Sequence, residues 1–146
     1  MEASGTSGEK GVMNGTISAT SGSTALTLAY NKTRSETPAN LADAVGVWKG
    51  SYNGGSIVST LTVASTTGAV SGSSTTGCTY SGTLMPRQAD PAFFDVNFTE
   101  SCPAFAGTTV VTLSGIAILN ETANALSFAA TSVDKASGAM FTGVRQ

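Results

Sequence analysis

Residues 76–104 read TGCTYSGTLMPRQADPAFFDVNFTESCPA and hold both cysteines of the chain, Cys78 and Cys102. In Phe94–Val96–Phe98 the even positions are apolar and alternate with Asp95, Asn97 and Thr99. In Cys78–Tyr80–Gly82–Leu84 the even positions again form one face, set between Thr79, Ser81 and Thr83. Alternation with period two marks a strand with one buried side. Folding the stretch about position 90 pairs Leu84 with Val96, Gly82 with Phe98, Tyr80 with Glu100 and Cys78 with Cys102. One register therefore satisfies both the burial pattern and the sulfurs. A slip of one residue would turn every side chain to the wrong face. The sequence predicts a β-hairpin locked by a cross-strand disulfide, with the tip PRQADPA carrying Asp90.

The same logic extends along the chain. Period-two segments are expected at 12–19, 24–30, 45–52, 56–64, 69–73, 78–84, 93–100, 108–119, 125–133 and 139–145. Turn signals separate them: TSGS at 20–23, NGG at 53–55, STTG at 65–68 and again at 74–77, and NETAN at 120–124. Around NETAN a second hairpin is expected, with Ile118 opposite Leu126 and Ile116 opposite Phe128. Ser59, Gly82, Ser114 and Ala130 are further candidates for the inward face. Only PANLADAV at 38–45 invites a helix, of about two turns. The expected fold is all-β: an antiparallel meander of about 8–10 strands closing into a small β-barrel or curled sheet, because closure removes exposed edges. A β-sandwich is the alternative. Residues 1–10 read as a flexible leader and 11–146 as one β domain.

Composition agrees with this reading. The chain has 146 residues, of which 11% are charged, against roughly 25% in an average soluble domain. Polarity comes instead from 19 Ser and 22 Thr, and turns from 17 Gly. Net charge is −2 with no basic run, so a nucleic-acid partner is not expected. The longest nearly apolar run, LSGIAIL at 113–119, is too short for a membrane-spanning helix. The opening MEASGTSGEKG lacks the apolar centre of a signal peptide, so an export signal is expected upstream of residue 2. A stable disulfide needs an oxidising compartment: periplasm, cell surface or secretion.

Catalytic chemistry is hard to find. The chain has no His, which removes the usual general base, the Ser-His-Asp triad and the common zinc and copper ligand. No phosphate-cradling Gly loop and no Cys-x-x-Cys occur. No catalytic residue, metal or cofactor is expected. Glu100 stands out because the register places it on the inward face opposite Tyr80. It reads either as a buried acid at a ligand site or as a rim residue, solvated or bonded to the Tyr80 hydroxyl. Four Asn-x-Ser/Thr sequons occur, at Asn14, Asn31, Asn97 and Asn120, a weak signal in a Thr-rich chain.

Trp48 lies in GVWKGSYNGG, and its Gly-x-Trp pattern resembles that of lipocalins, in which the Trp closes one end of the barrel. The resemblance implies either a calyx-type lipid carrier or simply a core aromatic at a barrel end. The Thr-Asp-Tyr signature of lipocalins is missing. A second resemblance rests on Trp48-Lys49-Gly50, Gly77-Cys78-Thr79-Tyr80-Ser81-Gly82-Thr83-Leu84, Phe94-Asp95-Val96 and Cys102-Pro103. These stretches resemble small exported proteins and lipoproteins of Gram-negative, Burkholderia-type bacteria, some handled as candidate antigens. The likeness covers roughly residues 45–145. It implies a β-rich fold in the cell envelope and carries over no catalytic residue. Since no third cysteine is present, a lipid anchor would either lie outside these 146 residues or not exist.

The functional expectation is a non-enzymatic exported protein of the envelope or cell surface, antigenic, acting by binding or structure. The alternatives are a carrier barrel for a small apolar ligand and an inhibitor or adhesin module presenting loops such as 86–92. Expected partners are a protein, a small apolar ligand, or antibodies reaching an exposed surface.

Overall fold

A computed structural model describes the backbone at 2–7, 12–19 and 22–29, and whole residues at 36–88, 92–105 and 107–146. The chain divides into two compact units, 1–36 and 37–146. In the first, β1 (Glu2–Ser7), β2 (Val12–Ala19) and β3 (Gly22–Ala29) form an antiparallel three-stranded sheet in that order. The stretch read as a leader thus contains a strand, and the division falls after residue 36 rather than after residue 10. Glu2 to Ser7 pair backbone to backbone with Ser18 to Met13. That pairing asks nothing of the sequence beyond an extended backbone, so a Gly- and Ser-rich segment forms it without an apolar stripe.

The second unit opens with the helical turn α1 (Leu41–Ala44), capped by the Asn40 side chain accepting from the Ala42 N–H at 3.1 Å. Eight strands follow: β4 (Gly46–Tyr52), β5 (Val58–Val63), β6 (Ala69–Ser74), β7 (Thr79–Pro86), β8 (Phe94–Ala104), β9 (Gly107–Leu119), β10 (Ala125–Thr131) and β11 (Gly138–Arg145). Each pairs antiparallel with its neighbour in sequence, and β11 pairs with β4, so the meander closes into a barrel. The sandwich alternative is thereby excluded. Tight turns make the connections. Asn53 (φ 54°) and Gly54 (φ 67°) both occupy the left-handed region, as the hairpin turn of β4–β5 demands.

The β7–β8 hairpin has the expected register, with Tyr80↔Glu100, Gly82↔Phe98 and Leu84↔Val96, and Cys78 is joined to Cys102. Asp90 lies outside the described residues. The hairpin around NETAN differs. Leu126 stands opposite Leu119 and Phe128 opposite Ala117, one residue away from the expected pairs. Odd residues of β9 therefore face inward: Leu113 and Ala117 are buried, while Ser114 and Ile116 are exposed. The expected inward placement of Ile116 and Ser114 is corrected accordingly. The cause is local. Asn120 Oδ1 accepts from the N–H groups of Asn124 and Ala125, both at 2.9 Å, and Ala123 turns left-handed. This fixes Asn120 opposite Ala125. Gly115 then stands opposite Ala130 of β10. A Cβ there would lie 1.9 Å from the Ala129 carbonyl oxygen, and one at Gly82 would lie 2.0 Å from that of Asn97. Such glycines let strands bend tightly around a small barrel.

Candidate functional site

The barrel interior is filled. An eight-stranded barrel is just wide enough for side chains to meet across it. Here five rings do so in sequence. Tyr52 touches Tyr80 (centroids 5.1 Å), Tyr80 touches Phe98 (6.2 Å), Phe98 touches Phe128 (5.3 Å) and Phe128 touches Phe141 (5.4 Å). Phe141 in turn pairs across the β11–β4 seam with Tyr52. A void lined by Leu61, Val70, Tyr80, Val96, Phe98 and Phe128 measures about 10 Å³, room for no more than one water.

One end is closed by α1. Trp48 is fully buried and donates its indole N–H to the Ala44 carbonyl at 2.8 Å. The Arg145 guanidinium lies 4.4 Å from the Trp48 ring centroid. It also donates to the carbonyls of Asp43, Val45 and Ala123. A single cation thus fastens α1 and the β9–β10 turn to the barrel. Trp48 is a core aromatic at this end of the barrel. Arg145 drew no attention in the sequence. Its signal was only its parity with Phe141 and Gly143.

Tyr80, Glu100 and the disulfide gather at the opposite end. The Tyr80 hydroxyl is 3.1 Å from Ser59 Oγ, which is fully buried. Tyr80 therefore bonds Ser59 rather than Glu100. Glu100, half-buried, lies beside the disulfide, with Oε1 3.4 Å from Cys102 Sγ. It also faces Tyr52. The Tyr52 hydroxyl is buried beside the Glu100 carboxylate, with no partner at full hydrogen-bond geometry. Its pKa is pushed far above the usual phenol value, by burial first, then by the negative charge of Glu100 and by Tyr80. Tyr52 was missed in the sequence, although it shares the even parity of Trp48 on β4. Trp48 and the Tyr80–Glu100 pair are at opposite ends of the barrel, so these candidates do not form one site.

The chemistry at this end is limited. Cys78 Sγ, Cys102 Sγ and a Glu100 oxygen lie within 4.8 Å of one another. With the sulfurs joined, they offer a metal one carboxylate and no thiolate. Ser59 is fully buried, with its hydroxyl engaged by Tyr80. Outside, small residues thin the wall over β9, β10 and β11. A groove of about 570 Å³ lies there, lined by Gly115, Ala129 and Gly138 with exposed Ile116 and Met140. Among the described residues no helix is long and apolar enough to cross a membrane. No protein-family model matches the chain, and no curated protein or solved structure is significantly similar to it.

Proposed function

We propose that this protein is a non-enzymatic exported protein of the cell envelope or surface that acts through its outer faces, the barrel serving as a rigid support. The filled interior carries this reading: the five-ring chain occupies the volume in which a carrier would hold its ligand. The disulfide supports an oxidising compartment, and exposed polar side chains such as Thr79, Ser81, Thr83 and Asn97 support an outer wall that antibodies and protein partners can read. The decisive experiment fractionates cells expressing the natural gene and titrates free thiols in the unreduced protein. Recovery from the envelope or medium with no free thiol is expected. A cytoplasmic protein with two free thiols would overturn the proposal. A second reading, a carrier for a small apolar ligand, is supported by the closed barrel with one end sealed at Trp48. Native mass spectrometry of the freshly purified protein separates the two, because a carrier would retain a stoichiometric apolar adduct.

A further inference from the structure

Among the described residues, the barrel's strand pairing is incomplete beside β9. β9 pairs with β8 along its whole length, down to Ala104↔Gly107. With β10 it pairs only from Ser114 onward, opposite Thr131. Residues 107–113 therefore have a partner strand on one side alone. Backbone parity says which groups are left over. The turn bond from the Asn120 N–H to the Ala125 carbonyl makes even residues of β9 the ones that address β10. Continued toward the hairpin tip, this leaves Thr108, Val110 and Thr112 with N–H and C=O groups aimed at the vacant side.

Free edges are normally blunted by a charge, a proline or a bulge. The other side of this hairpin is blunted. Beyond Thr79↔Ser101, Cys102 is tied to Cys78, and Pro103 has no N–H to offer. The β9 side carries no such device: from Pro103 to Leu119 there is no charged residue, and Thr108-Thr109-Val110-Val111-Thr112 is rich in β-branched side chains. Val110 is 60% exposed, and Phe105 at the tip is fully exposed.

We propose that this edge is a homodimer interface, in which Thr108–Thr112 of two copies pair antiparallel about a two-fold axis at Val110. The occupant follows from self-complementarity. That axis sets Val110 against Val110, Thr108 against Thr112 and Thr109 against Val111, which are favourable cross-strand pairs. No like charges meet, because the arm carries none. The pairing joins the two arms through their leftover backbone groups and covers Val110. So narrow a strip is smaller than a standard interface, so the dimer is a weak, concentration-dependent one rather than an obligate one.

Analytical ultracentrifugation of the full chain from about 1 µM to about 1 mM tests this, alongside hydrogen exchange at each concentration. Expected is a monomer–dimer equilibrium in which the amides of Val110 and Thr112 gain protection as the dimer fills. Val110→Pro removes an edge N–H without touching the β8 ladder, and Val110→Lys adds a gatekeeping charge. Each should give a monomer with the parent's near-ultraviolet spectrum and intact disulfide. A parent that stays monomeric throughout would overturn the proposal. So would a dimer that survives in both folded variants, which would locate the interface elsewhere.

Discussion

At the level of single residues, Tyr52 is the most informative side chain. Its hydroxyl is buried beside the Glu100 carboxylate with no partner at full hydrogen-bond geometry, and a buried polar group left without one costs about 1–3 kcal/mol. Tyr52→Phe removes the unsatisfied atom and keeps the ring contact with Tyr80. It should leave the protein as stable as the parent or about 1 kcal/mol more stable by urea denaturation. The pH dependence follows from the raised pKa. Folding holds this phenol neutral, so its contribution to stability is full below the unfolded value near 10 and is lost as pH rises above it. In the parent, stability should fall by up to about 1.4 kcal/mol per pH unit in that range from this group alone. Tyr52→Phe should have a shallower alkaline limb, and an unchanged limb would contradict the assignment. Arg145 gives a second test. Its planar fork serves several carbonyls while lying over Trp48, a geometry lysine does not reproduce. Arg145→Lys should cost about 1–2 kcal/mol by denaturant titration. Trp48 fluorescence should shift as water reaches the closed end. Tyr80 and Glu100 were legible because parity placed them inward, and Trp48 because of its Gly-x-Trp pattern. The partners of Tyr80 and of Arg145 were not, since both come from strands or turns distant in sequence.

The two hairpins show what element-level reading rests on. In the β7–β8 segment only one parity is apolar, and the cysteines demand the same register, so pattern and chemistry agree. β9 carries apolar residues at both parities: Leu113, Ala117 and Leu119 on one, Ile116 and Ile118 on the other. Hydrophobic alternation cannot choose between them there. The choice is made by the Asn120 turn and by space, because the barrel admits Gly115 and Ala117 opposite Phe128 and Ala130, where two isoleucines would overfill it. The disulfide hairpin also yields a magnitude. The bridge closes a loop with a separation of 24, worth about 3–4 kcal/mol in the chain-entropy model. Replacing both cysteines by Ser should therefore lower the melting temperature by roughly 10 °C. The exposed row Thr79, Ser81, Thr83 and Asn97 does not depend on the sulfurs, so antibodies to the native surface should still bind the double variant at low temperature. Unchanged stability with lost binding would mark the cysteines as functional rather than structural.

For the whole molecule, barrel closure was legible from many short strands with tight turns and from the need to hide their edges. The strands at 12–19 and 22–29 were legible as well, but β1 and the division into two units were not, because the Gly- and Ser-rich stretch 2–7 pairs through its backbone without an apolar stripe. This difference predicts how the chain divides. Every neighbour of each barrel strand, from β4 through β11 and back, lies within 37–146. So do α1, the Trp48–Arg145 closure, the ring chain and the disulfide. None of these contacts needs a residue before Thr37. A chain of residues 37–146 should therefore fold alone, form the Cys78–Cys102 bond, and match the full chain in its near-ultraviolet spectrum and melting temperature. The same truncation separates two sources of cooperativity. If 1–36 contributed to the barrel core, the shortened chain would melt earlier and over a broader range. If the barrel closes among its own strands, a single sharp transition should remain at the same temperature, because its seam between β11 and β4 is intact.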